Sequence, residues 1–210
     1  MSQETAWAPW IEEVRFTLFK SSIIQEQFIN CIVDHAEPDS TILECGFGTG
    51  VTLELLRDLK YDVEGIDLEP LAIEKAVDRF PHLRNRVRVG DLKNSDSYED
   101  GYDIIIHQGV MEHFHDNEIM EILSLQKKKC KKIIFDVPNN LRKDQSDEGV
   151  MTRFESPKFW ENIISRCGLK YKRYGRTLDS DNNLLPKSLS HYSSDLMKVV
   201  GRSSIFVVEG

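Results

Sequence analysis

The sequence predicts an α/β fold, a mainly parallel sheet covered by helices on both faces. Three observations carry this. From Thr41 onward short apolar strands alternate with amphipathic helices, the first strand runs directly into a glycine-rich turn, and carboxylates close the next two strands. Strands separated by helical crossovers form β-α-β units, whose parallel sheet has to be buried on both sides.

The elements follow in order. Residues 1–40 read as a helical cap: Ile23, Ile24, Phe28, Ile29, Ile32 and Val33 recur at helical spacing, behind the aromatics Trp7, Trp10, Phe16 and Phe19. Strands are expected at 41–45, 62–67, 87–90, 102–107, 132–137, 169–174 and 203–209. Pro70 sits in a first helical turn, with Ile73, Ala76, Val77 and Phe80 on one face. Asp116 is the expected cap of a helix carrying Ile119, Ile122 and Leu123. Ser156-Pro157 opens another, burying Phe159, Trp160, Ile163 and Ile164 and closing at Gly168. Segments 138–155 and 178–202 break the alternation and are expected to be lid or binding loops near the carboxyl edge of the sheet. We expect one domain over 1–210: the cap (1–40), a ligand-binding half (41–137) and a substrate-side half (138–210).

Composition narrows the partners. Lys and Arg number 27 against 35 Asp and Glu, a net charge of −8. Nucleic-acid binding relies on many cationic phosphate contacts, so an acidic chain argues against it. The run Lys127-Lys128-Lys129-Cys130-Lys131-Lys132 abuts an apolar strand and reads as a solvated helix end. No apolar stretch approaches the roughly 20 residues that span a bilayer. Residues 1–10 carry neither a basic nor an apolar leader region, so a cytoplasmic location is expected, with no membrane contact. Cys31, Cys45, Cys130 and Cys167 lie far apart without a C-x-x-C pair, which suits reduced thiols.

The chemistry concentrates in four places. Ile42-Leu43-Glu44-Cys45-Gly46-Phe47-Gly48-Thr49-Gly50 is a strand entering a turn with alternating glycines, followed by the helical Val51-Thr52-Leu53-Glu54-Leu55-Leu56. Glycines there let the backbone bend and approach a ligand closely. The spacing is Gly-x-Gly-x-Gly, where dinucleotide-binding enzymes use Gly-x-Gly-x-x-Gly, so a nicotinamide dehydrogenase is disfavoured. Asp67 ends the second strand about 20 residues later, placed to accept both hydroxyls of a ribose. Asp91, at the end of the third strand, is suited to an adenine amino group while Leu92 packs on the ring. After the fourth strand come Gln108, Gly109 and Glu112-His113-Phe114, at the switch point where open sheets bind ligands.

Together these motifs resemble the class I S-adenosylmethionine-dependent methyltransferases, in particular their small-molecule branch. The likeness covers residues 41–137, and the later strands fit its sheet order. It implies a Rossmann-like doubly wound, seven-stranded sheet whose last strand is antiparallel and lies between strands five and six. It also implies S-adenosylmethionine as cofactor and S-adenosylhomocysteine as product. Residue by residue, it assigns Glu44, Gly46, Gly48 and Gly50 to the methionine part and the turn. Asp67 falls to the ribose, Leu68 to the side of the adenine, and Asp91 and Leu92 to the adenine edge. Gln108 and Gly109 meet the methionine ammonium through backbone groups; Phe47 fills a variable position.

Methyl transfer is an in-line displacement, so the expected task of the chain is alignment in a dry pocket. His113 is the candidate general base, since histidine titrates near neutrality; a purely positional role is its alternative. His107 reads as structural, His191 and Tyr192 as substrate-side residues, and Asp136 as a pocket or capping carboxylate. The N-terminal aromatics are candidates for a cationic lid contact or for simple packing. No Asp/Asp/Asn cluster suggests a metal. The expected acceptor is an O, N or C atom of a small metabolite, with a protein or peptide acceptor, or an inactive partner subunit, as alternatives. Arg142, Lys143, Arg153, Arg173 and Arg176 near the rim suit either an anionic substrate or solvent.

Overall fold

A short buried strand, Thr41–Cys45 (β1), organises the molecule because hydrogen-bonded neighbours flank it on both sides. The computed structural model describes residues 18–140, 151–174, 177–178, 184–185 and 203–209; of residues 18–24, 177–178 and 184–185 only the backbone is described. Helix α1 (Leu18–His35) precedes β1. It buries Phe28, Cys31 and Ile32, while Val33, one step further round the helix, is 41% exposed.

The chain then follows the predicted alternation: α2 (Val51–Asp58), β2 (Asp62–Asp67), α3 (Pro70–Arg79), β3 (Val87–Val89) and β4 (Tyr102–Gln108). Next come α4 (Asp116–Gln126), β5 (Cys130–Pro138), α5 (Pro157–Arg166), β6 (Lys170–Tyr174) and β7 (Ser203–Glu209). The sheet order is β3-β2-β1-β4-β5-β7-β6. Strands β3, β2, β1, β4 and β5 pair in parallel, whereas β7 is antiparallel to both of its neighbours. The strand order reverses between β1 and β4, opening a crevice beyond their carboxyl ends.

Each face carries its own apolar layer. Ile42, Val63, Ile104, Ile106 and Ile134 pack with α1, α2 and α3. Leu43, Ile66, Ile105, Ile133 and Phe135 pack with α4 and α5, where Trp160 is fully buried. Adjacent strand residues thus point to opposite layers, as the period of two requires.

Strands β3, β4 and β6 each differ from expectation by one residue at one end, and three larger differences have a physical cause. Strand β5 begins at Cys130, two residues early, because Cys130 pairs with Tyr102 and Lys131 reaches the Asp103 carboxylate at 2.7 Å. The lysine run therefore includes the head of a strand. Helix α4 is capped at His115, whose N–H donates to Glu118 Oε2 at 3.0 Å; Asp116, the expected cap, accepts from Arg153 instead. Segment 178–202 contributes Leu184–Leu185, paired with Thr177–Leu178; its remaining residues, like 141–150, fall outside the described ones. Trp7, Trp10 and Phe16 also lie outside them, and Phe19 enters only as backbone of α1.

Phe47, to which the sequence assigned nothing, is 4% exposed and packs over Gly65 of β2. A Cβ at Gly65 would lie 2.7 Å from Phe47 Cδ1 and 2.8 Å from Leu53 Cδ1. We therefore expect Gly65→Ala to cost about 1–3 kcal/mol by overpacking, measured by urea unfolding. A change below about 0.5 kcal/mol would mean that the Phe47 ring is not held against β2.

Candidate functional site

The crevice is built from the turns that leave β1, β2, β3 and β4. Gly46 follows β1 with φ 73°, a left-handed conformation that side chains avoid. A Cβ there would also stand 2.6 Å from Val110 Cγ2. Gly50, at φ 72°, is the N-cap of α2 and aims the helix start at the crevice. Gly48 lies between them, and its N–H donates to Asp67 Oδ2 at 2.9 Å.

That bond joins the first two motifs. Asp67 ends β2, is 9% exposed, and accepts at Oδ1 from the Glu69 N–H at 3.0 Å. Each carboxylate oxygen has a further lone pair, so the group can hold the glycine turn and still accept two hydroxyl donors. Burial raises its proton affinity above the ordinary carboxylate range.

Glu44, at the end of β1, is 2% exposed, and its Oε2 is buried without a hydrogen-bond partner. Burial is the main reason its carboxyl is pushed up to about 8; Asp67 nearby adds to this, and Thr52 opposes it. A buried acceptor without a donor is costly and asks for a donor from elsewhere, such as a ligand ammonium. The residues present therefore fit a cofactor that carries a ribose diol and an ammonium group.

At the next turn, Asp91 is half-buried, with Oδ1 accepting from the Lys93 N–H and its own N–H donating to Ser97 Oγ, both at 2.9 Å. Leu92 is 5% exposed and its side chain sits in the apolar layer with Ile66 and Tyr98. Leu68, by contrast, is 51% exposed beside Asp67. Val89, the register partner of Asp67, is 57% exposed and completes an apolar rim that the sequence reading missed. It resembled an ordinary interior strand position, and only the early end of β3 uncovers it.

Gln108 is the last residue of β4, and Gly109 leaves it at φ 67° with its N–H bonded to the Asp136 carbonyl at 3.1 Å. Asp136 itself is half-buried in β5, opposite Gln108. His113 lies in the following turn, and its Nδ1 is 2.8 Å from the Met151 carbonyl. A carbonyl only accepts, so Nδ1 carries the proton and Nε2 the lone pair. Its Nε2 stands 4.0 Å from Glu112 Oε1. The Arg153 N–H donates to the Glu112 carbonyl at 3.1 Å, which fastens residues 151–153 to the same turn.

His107 is fully buried; its Nε2 bonds Gln126 Oε1 at 2.8 Å, and burial holds it down to about 4. It is neutral at pH 7 and structural, as expected. Arg153 is paired with Asp116, and Arg173 reaches Glu161 at 3.2 Å, so both rim arginines that are described sit in ion pairs. Arg142, Lys143, Arg176, His191 and Tyr192 fall outside the described residues. Among the described residues no group of three or more His, Cys, Asp or Glu side chains is arranged to hold a metal, and no helix is long and apolar enough to cross a membrane.

The raised Glu44 pKa makes a testable demand. The folded protein keeps the proton up to about pH 8, whereas the unfolded chain releases it near 4.5. Folding thus binds a proton in that window, and this contribution to stability, complete at low pH, is lost as pH rises through it. Denaturant unfolding at pH 5, 6.5 and 8 should show Glu44→Gln gaining stability relative to wild type as pH increases. A constant difference between the two proteins would mean that Glu44 is ionised throughout.

Comparison with known proteins agrees with this geometry. Residues 42–132 match the family model described as a methyltransferase domain. No curated protein matches the chain. Among solved structures, the complex of the Haloferax volcanii Trm112 methyltransferase activator with a methyltransferase gives 15% identity and a TM-score of 0.71, covering 99% of both chains. The CcbJ methyltransferase of Streptomyces caelestis gives 14% identity and 0.67, over 97% of this chain and 96% of its own. The magnesium protoporphyrin IX methyltransferase of Synechocystis PCC 6803, solved with bound SAH, gives 14% and 0.63, over 97% and 92%. At these identities the likeness is one of fold.

Proposed function

We propose that this chain is a class I S-adenosylmethionine-dependent methyltransferase that methylates an O, N or C atom of a small-molecule metabolite, with His113 receiving the acceptor's proton. The observation that carries the assignment of the base is the 2.8 Å bond from His113 Nδ1 to the Met151 carbonyl, which leaves the lone pair on Nε2. A histidine with that tautomer fixed, at the carboxyl edge beside the cofactor turns, suits general-base work near neutral pH.

When bound, S-adenosylmethionine supplies a methyl group activated by its sulfonium. Asp67 would accept the ribose hydroxyls while keeping hold of Gly48, and Glu44 would accept from the ammonium. Asp91 would take the adenine amino group with the exposed Leu68 beside the ring, whereas the Leu92 side chain, expected on the ring, is buried beneath the turn with Ile66 and Tyr98. Carbonyls at Gln108 and Gly109 would complete the methionine end. The burial around Glu44 and Asp67 keeps water from competing for those contacts, so the chain's contribution is orientation. His113 Nε2 removes the acceptor's proton as its oxygen or nitrogen becomes bonded to carbon.

A small acceptor is favoured by the net charge of −8, which argues against nucleic acid, and by the engagement of Arg153 and Arg173 in ion pairs, which argues against a strongly anionic substrate. A second reading makes the acceptor a protein or peptide, or the chain an inactive subunit. Its support is the Haloferax volcanii neighbour, whose structure is a complex with an activator protein.

Two substitutions separate binding from chemistry. Asp67→Ala should weaken S-adenosylhomocysteine binding by roughly 1–3 kcal/mol in calorimetry, and unchanged affinity would remove the ribose assignment. With an acceptor found by screening small alcohols, amines and carbon acids for labelled-methyl transfer, His113→Ala should lower turnover about 10²–10⁴-fold at unaltered cofactor affinity. An unaffected rate would make His113 a positioning histidine.

A further inference from the structure

We propose that Gln126 is a positioning residue that holds three cofactor-bearing turns in register, an inference that rests on the methyl-donor site described above. Gln126 is the last residue of α4 and is fully buried, far in sequence from every cofactor motif. Its Oε1 accepts from His107 Nε2 at 2.8 Å, its Nε2 donates to the Tyr98 hydroxyl at 3.0 Å, and the same nitrogen is 3.9 Å from Cys45 Sγ. Tyr98, 5% exposed, passes its own proton to the Leu92 carbonyl at 2.8 Å.

Each of these partners lies directly behind a cofactor turn. Cys45 immediately precedes Gly46, His107 immediately precedes Gln108 and Gly109, and Leu92 immediately follows Asp91. One carboxamide therefore touches the root of the glycine turn, the root of the methionine-side turn and, through one hydroxyl, the adenine turn.

The direction of every bond is fixed. A carboxamide oxygen only accepts, so His107 must carry its proton on Nε2; a carboxamide nitrogen only donates, so the Tyr98 hydroxyl must send its proton on to Leu92. Burial supports this by keeping His107 neutral. The layer around the trio is built from Ile66, Ile105, Met111 and Ile122, and apolar side chains would fill the space without the desolvation that three buried polar groups impose. What the polar trio adds is geometry, because a hydrogen-bonded network accepts one arrangement where apolar packing accepts several.

The adenine turn gives the sharpest test, because Tyr98 is its link to Gln126. We would measure S-adenosylhomocysteine and S-inosylhomocysteine binding, the second having a carbonyl in place of the adenine amino group, together with thermal unfolding. Wild type should prefer the adenosyl compound. Tyr98→Phe should weaken it about three- to tenfold, the worth of one neutral hydrogen bond, and narrow the preference between the two ligands. Gln126→Leu should narrow it further; if that variant does not fold, Tyr98→Phe decides. A lowered Tm with the preference intact in the folded variants would overturn the positioning role and leave Gln126 a structural residue. Wild type that binds neither compound would instead overturn the methyl-donor reading, and the positioning role with it.

Discussion

The hydrogen bond from the Gly48 N–H to Asp67 Oδ2 is the contact on which the site depends. It ties the turn after β1 to the end of β2, so the backbone proposed for the methionine end and the carboxylate proposed for the ribose are placed together. The bond forms only because the turn runs through left-handed backbone at Gly46, Gly48 and Gly50, which brings its amides round to face the neighbouring strand. Side chains at Gly46 or Gly65 would collide with Val110 or Phe47. Much of the local packing therefore serves to let two strand ends approach.

The same crevice concentrates unfavourable electrostatics. Glu44 and Asp67 are both carboxylates, both buried, and each is harder to ionise because of it. A cofactor with an ammonium and two hydroxyls would relieve part of that cost. Beneath the turns, the neutral chain of hydrogen bonds from His107 Nε2 through Gln126 and Tyr98 to the Leu92 carbonyl supplies rigidity without charge, at the cost of a buried His107 Nδ1 that has no partner.

Much of this was legible from the sequence, for definite reasons. Strand and helix periods differ, so the alternation after Thr41 exposed the sheet, and the glycine spacing exposed the turn. The resemblance then supplied the antiparallel position of β7 between β5 and β6, which no local pattern encodes. Boundaries were less legible where tertiary contacts decide them. Cys130 and Lys131 look like a helix end until Tyr102 and Asp103 are beside them, and His115 takes the cap that Asp116 gives up to Arg153. Gln126 carried no signal at all, because its role exists only where α4, β1 and β4 meet. Val89 was hidden for the opposite reason: its alternation is that of a buried strand, and the sheet ends beside it.

The most direct test of the account is calorimetric titration of the wild-type protein with S-adenosylmethionine and S-adenosylhomocysteine, with NADH as the control. The arrangement of Glu44, Gly46, Gly48, Asp67 and Asp91 predicts saturable micromolar binding of the first two and none of NADH. Binding of NADH alone, or of none of the three, would contradict it.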